Sequence, residues 1–97
     1  MKCAKEVVAV WKENNDVRTV GAVEAITEAI YKKAKADSSY PHISVRFRYN
    51  GTEVIDFSDP IYSGQVSKEL FLATMKSLCY EVSFTTQYIR VSPNPSC

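Results

Sequence analysis

The chain has little of what most site chemistries need. Its single histidine, His42, follows Pro41 with no cysteine or carboxylate at a relay or ligand spacing, so no histidine-centred catalytic or metal site is expected. The three cysteines, Cys3, Cys79 and Cys97, lie far apart, which excludes a zinc knuckle and a dense disulfide framework. They read as one core thiol, Cys79, and two thiols near the ends; a Cys3–Cys79 bridge is the alternative, disfavoured in a reducing compartment. The three glycines stand alone at 21, 51 and 64, so there is no phosphate-cradling loop. No charge of one sign dominates. Twelve Lys and Arg against eleven Asp and Glu give a net charge of +1, which offers no general attraction to nucleic acid or anionic lipid. No apolar run approaches the roughly 20 residues of a membrane span. Met1–Glu6 lacks the apolar stretch of a signal peptide, and the chain reads as cytoplasmic.

The carboxylates complete the list of absences. Glu24 and Glu28 are one helical turn apart on a solvated side, and Asp56 and Asp59 flank the end of a strand. Neither pair has the apolar pocket that raises one pKa for general acid work. The expectation is therefore a non-enzymatic chain with no cofactor and no metal.

What is present is alternation. In residues 41–57, Ile43, Val45 and Phe47 alternate with Ser44, Arg46 and Arg48, the period of a strand with one buried and one wet face. Val54-Ile55-Asp56-Phe57 returns as a second strand after Asn50-Gly51. A two-residue loop would mix core with solvent on each face. A three-residue loop, Tyr49-Asn50-Gly51, pairs Val45 with Ile55 and Ile43 with Phe57 and places Gly51 in a left-handed conformation. The three-residue loop is preferred.

Helical spacing follows in two places. Val17, Val20, Val23, Ile26, Ile30 and Ala34 predict a helix over 16–36 with Asp16 as N-cap. Val66, Leu70, Phe71, Met75, Leu78 and Val82 predict a second, with Ser67 as N-cap and an end near 79–81. The first eleven residues are two-sided. A helical stripe of Cys3, Val7, Val10 and Trp11 would arrive nearly opposite the stripe of the next helix, so one unbroken helix is not expected. The β-branched run Val7-Val8-Ala9-Val10-Trp11 suits a central strand instead. A last strand is expected over 85–91, with Ile89 and Val91 inward and Tyr88 and Arg90 outward. The predicted core is Val45, Phe47, Ile55, Ile26, Ile30, Leu70 and Leu78.

Strand, helix, strand, strand, helix, strand is the order of a ferredoxin-like split βαβ sandwich, an antiparallel sheet with both helices on one face. The alternative, if residues 3–12 are helical, is ααββαβ with a three-stranded sheet. The arginine-bearing strands are expected at the edges, where charge discourages unwanted pairing. A single α+β domain spans 1–92, and 93–97 reads as a flexible tail.

Two sites follow. The open sheet face should carry Arg46, Arg48, Tyr88 and Arg90, flanked by Ser44, Thr52, Val54 and Asp56, a composition suited to a protein partner. Arg18 and Asn15, at the start of the predicted first helix, form a secondary anion site. The expected function is a binding module acting by protein–protein contact, of the adaptor, regulator or virus-encoded inhibitor type. The alternative is nucleic-acid binding through the Arg/Tyr face, although the aromatic signatures of an RNA-recognition module are missing from it. A second copy of the chain is left open as a partner, and no membrane is expected.

Overall fold

The first 36 residues dominate the shape of the molecule. In the computed structural model, which describes residues 1–49 and 53–96, Ala4–Ala36 form one helix of 33 residues, α1. At 1.5 Å per residue such a helix spans about 50 Å. It sets the long axis of a molecule measuring 57 × 25 × 19 Å. Three antiparallel strands follow, β1 (Ile43–Tyr49), β2 (Val54–Ser58) and β3 (Ser63–Ser67), then helix α2 (Lys68–Ser77) and strands β4 (Tyr80–Phe84) and β5 (Tyr88–Pro93). The sheet has five strands in the order β3-β2-β1-β5-β4, antiparallel throughout. Both helices pack on one face of it and share one core with the strands.

The α+β class with two helices on one face of an antiparallel sheet therefore stands. The ferredoxin-like order does not, and nor does the three-stranded alternative, because the sequence order is αβββαββ and the strand count is five. Residues 7–11 are helical rather than a strand. The phase argument against one long helix assumed that every apolar stripe is buried within the chain. In fact the buried stripe is Asn15, Thr19, Ala22, Val23, Ile26 and Ile30, and Val7, Val10, Trp11, Val17 and Val20 are exposed. Once the packed half has nucleated, each added residue gains a helical hydrogen bond, and the cost of a β-branched residue is only about 0.5 kcal/mol. Asp16 accordingly lies inside α1. Its N-cap is Cys3, whose side chain makes no capping bond.

Strands β3 and β4 go beyond what the sequence pattern predicts. Ser63-Gly64-Gln65-Val66-Ser67 carries one apolar side chain, too few for alternation to show. It is a strand because β2 pairs with it, Ile55 facing Val66 and Asp56 facing Gln65. In β4, Tyr80, Val82 and Phe84 do alternate with Glu81 and Ser83. That signal was hidden because Val82 also fitted the stripe of α2. The helix stops earlier, where Cys79 adopts φ 67°, and Leu78 is left 52 % exposed just before it. Ser67 is the N-cap of α2, its hydroxyl accepting from Leu70 N at 3.4 Å. Leu70 is half-buried rather than buried.

The hairpin register also differs. Phe47 faces Phe57, Arg48 faces Asp56 and Tyr49 faces Ile55. The connection is thus longer than three residues. The parity is unchanged, so Val45, Phe47, Ile55 and Phe57 still point into the core. The left-handed Gly51 expected in the loop lies outside the described residues. Strand β1 sits in the middle of the sheet, so Arg46 and Arg48 are on a central strand and not at an edge.

Aromatic rings knit the core. Phe57 meets Phe71 and Tyr62 edge-on at 5.5 and 5.9 Å between ring centroids, and Phe47 meets Phe84 at 5.7 Å. The Tyr62 ring lies 4.0 Å from the Cβ that any side chain at Gly21 would have. That distance is an ordinary van der Waals contact, so packing against Tyr62 does not by itself demand a glycine on α1. Cys79 is not a core thiol: it is half-buried and disulfide-bonded, whereas Cys3 is free and exposed. Strand β5 runs through Pro93 into the segment expected as tail, and Asn94 N donates to Cys79 O at 2.8 Å. No described helix is long and apolar enough to cross a membrane.

Candidate functional site

The open face of the sheet gathers the four residues singled out from the sequence. Strand alternation leaves Ser44, Arg46 and Arg48 of β1 and Tyr88 and Arg90 of β5 exposed, opposite the buried Val45, Phe47, Ile89 and Val91. Register sets the neighbours: Arg46 faces Tyr88, and Arg90 lies between Ser44 and Ser83. The Arg46 guanidinium donates to the Tyr88 hydroxyl at 3.2 Å and stands 5.7 Å from the ring centroid. The Tyr88 hydroxyl, and more weakly Asp59, hold the Arg46 guanidinium still more firmly charged than usual. Asp59 also accepts from Arg46 N at 3.2 Å and from Ile61 N at 3.0 Å, which ties the β2–β3 turn to β1. Arg48 faces Asp56. The face is thus a mixed-charge surface in which two of the three arginines have an acidic neighbour. Val54, expected on this face, is buried instead, and Thr52 lies outside the described residues.

The expected Arg18–Asn15 pair is not brought together as a site. Its premise was a helix N-terminus at Asp16, and α1 runs straight through that position. Arg18 is exposed, and its carbonyl accepts from the Tyr62 hydroxyl at 2.9 Å. Burial raises the Tyr62 pKa above the ordinary tyrosine value. Asn15 turns the other way, into the protein, and is only 3 % exposed.

Asn15 belongs to a place that sequence reasoning missed. Where α1 leaves the sheet, it roofs a groove of about 570 Å³ walled by Trp11, Lys12, Asn15 and Asp16 of α1, Val54 of β2 with Glu53 just before it, Ser67 at the end of β3, and Lys68, Glu69 and Leu72 of α2. Its size is that of an ordinary ligand site. Thr19, fully buried one turn on, fixes the geometry. Its hydroxyl donates to Asn15 O at 2.6 Å and accepts from Ser67 N at 3.0 Å, bonding α1 to the end of β3. Lys68 N donates to Glu53 O at 2.9 Å, which extends the β2–β3 ladder one rung past Val54 and Ser67 along the groove. The signal for this groove was the four-residue spacing of Trp11 and Asn15, which has meaning only once both lie on one helix.

Beyond the groove, α1 continues alone. Every residue from Ala4 to Asn14 is exposed, including Val7 (57 %), Val10 (65 %) and Trp11 (43 %). The described ion pair on this arm is Lys2–Glu6 at 3.9 Å, both ends exposed. Among the described residues, no three His, Cys, Asp or Glu side chains are gathered as a metal site would need. No protein-family model matches the chain, and no curated protein or solved structure shows significant similarity to it.

Proposed function

We propose that this protein is a small non-enzymatic binding module that acts by protein–protein contact, and that its contact surface is the N-terminal arm of α1. One observation carries the reading: all eleven helical residues from Ala4 to Asn14 are exposed, Val7, Val8, Val10 and Trp11 among them. An isolated helix of about 11 residues is marginal in water, and valine is a poor helix former. Bare apolar side chains on such an arm gain from a second surface that covers them, and clusters of that kind mark interaction sites. Adaptor, regulator and inhibitor roles all fit a contact of this type.

A second reading places the contact on the open sheet face, where Arg46, Arg48, Tyr88 and Arg90 lie together and could meet either nucleic acid or a polar protein surface. The acidic neighbours Asp56 and Asp59 count against a phosphate-tracking role. The location expected from the sequence, the cytoplasm, fits poorly with the Cys79 disulfide, because such bonds persist in oxidising compartments.

The test is affinity capture after nuclease treatment, with the wild type beside Val7→Gln/Val10→Gln and Arg46→Gln/Arg48→Gln/Arg90→Gln. Glutamine keeps or improves helix propensity, so the arm variant retains its helix. A defined protein captured by the wild type and the sheet variant but lost from the arm variant is the expected result. Capture lost only from the sheet variant, or only after nuclease, transfers the function to the sheet face.

A further inference from the structure

The groove at the root of the arm has a chemistry of its own. Asn15 is 97 % buried by virtue of its 3 % exposure, yet no hydrogen bond to its side chain is made by any described residue. No described side-chain nitrogen or oxygen is both fully enclosed and without a partner. The Asn15 carboxamide therefore reaches the groove it lines, with one acceptor and two donor hydrogens uncommitted. Beside it the Trp11 indole offers a broad apolar face that is 43 % exposed. Val54 and Leu72 add apolar wall. The ionised groups do not balance: Asp16, Glu53 and Glu69 stand against Lys12 and Lys68, and the Lys68 ammonium stands over the Phe84 ring, 5.3 Å from its centroid.

We propose that this groove binds a basic, extended peptide segment of a protein partner. A lysine or arginine side chain of that segment lies on Trp11 among the three carboxylates, and a main-chain amide bonds the Asn15 carboxamide. Each part of the surface has one task. A cation is attracted to an indole face, and more strongly where water is partly excluded. The carboxylates select positive charge over negative and reject an acidic peptide by repulsion. A carboxamide presents a donor and an acceptor side by side, the complement of a peptide N–H and C=O. A bare cation uses the first two and leaves Asn15 unpaired, which is the feature that singles out a peptide. The inference rests on the protein-contact reading and names the chemistry of the partner at the root of the arm.

Trp11 is the only tryptophan of the chain, so its emission reports the groove directly. The experiment titrates the full chain with acetylated, amidated Gly-Lys-Lys-Arg-Gly, with the matching Gly-Glu-Glu-Glu-Gly and with spermidine, and follows the side-chain amide resonances of Asn15 in parallel. The basic peptide should shift the emission saturably and move the Asn15 amide. Asp16→Asn/Glu53→Gln/Glu69→Gln should weaken it by about tenfold at low salt, as three partly exposed ion pairs would. All three positions are at the protein surface, so the fold is retained. The inference is overturned by an emission that does not respond, by equal binding of the acidic peptide, by spermidine matching the peptide, or by an Asn15 amide that stays put. The titration uses neither Val7 nor Val10. A failed titration with an arm-dependent partner still captured removes the groove inference alone; a successful one with capture unaffected by the arm variant removes the arm reading alone.

Discussion

Single residues decide how the two halves of the molecule are joined, and Thr19 is the clearest. Valines flank it at 17 and 20, and both are exposed while the threonine is fully buried. Its hydroxyl satisfies Ser67 N at the last residue of β3, where the sheet offers that N–H no strand. Thr19→Val keeps the shape and removes the acceptor. It should cost about 1–3 kcal/mol, the penalty of a buried N–H left unpaired, while Val17→Thr on the exposed side should change stability by less than about 0.5 kcal/mol. Chemical unfolding of the two variants checks both values. Cys79 is the other decisive residue. Its φ of 67° suits glycine better than cysteine, at a cost of roughly 1–2 kcal/mol. That conformation ends α2, accepts Asn94 N on the Cys79 carbonyl and leaves the side chain committed to a disulfide. The pattern of apolar spacing carries no trace of either effect, because both are set by backbone groups that need partners.

At the scale of elements, α1 is two helices in energetic terms. From Asn15 to Ile30 it buries one stripe against β3 and α2, and from Ala4 to Asn14 every residue is exposed. Amide hydrogen exchange should therefore divide it. Protection over residues 19–30 should approach that of the sheet, and protection over 5–13 should be low in the free protein. Binding of the partner should raise protection in the arm and leave 19–30 nearly unchanged. Uniform protection along α1 in the free protein would contradict the picture of an uncovered arm. The strands show the opposite behaviour. Strand β3 has one apolar side chain, Val66, and takes its form from β2 on one side and α1 above it. The β1–β2 register departs from the three-residue-loop expectation for a related reason. Two-fold alternation fixes which face a residue occupies, but a shift by an even number of residues leaves that face unchanged, and only the length of the loop selects among such shifts.

For the whole molecule, the sheet is a meander, β1-β2-β3, and a hairpin, β4-β5, joined through the pairing of β1 with β5. The first strand of the chain and its last meet at the centre, Ile43 opposite Val91 and Val45 opposite Ile89. The final strand is thus a central one, with Ile89 and Val91 fully buried. Ending the chain before Tyr88 should unfold the entire domain rather than trim an edge, because β4 would lose its partner and β1 one of its two neighbours. Loss of the cooperative thermal transition and of near-ultraviolet dichroism in such a truncation checks this. A truncation that keeps a sharp transition would show that the meander and helices fold without β5. The same architecture separates the two candidate surfaces. The arginine and tyrosine face lies on the open side of the sheet, whereas the arm and groove belong to the helical layer.

Alternation and helical spacing by themselves determined the faces of Ile43–Arg48 in β1, of Ile55 and Phe57 in β2 and of Tyr88–Val91 in β5, the existence of α2 with its Ser67 cap, and the helical core at Val23, Ile26 and Ile30. They also placed Arg46, Arg48, Tyr88 and Arg90 together on one exposed surface. These are local consequences of where an apolar side chain points, and they need no knowledge of what lies opposite. Tertiary structure decided the rest: that residues 4–36 are one helix, that Ser63–Ser67 and Tyr80–Phe84 are strands, that β1 is central, and that Trp11 and Asn15 overlook a groove with Glu53 and Glu69. The reason is the same in each case. A backbone run with ambiguous side chains takes the conformation whose N–H and C=O groups find partners, and those partners are far away in the sequence. An apolar stripe that finds no such neighbour within the fold, as on the arm of α1, remains on the surface.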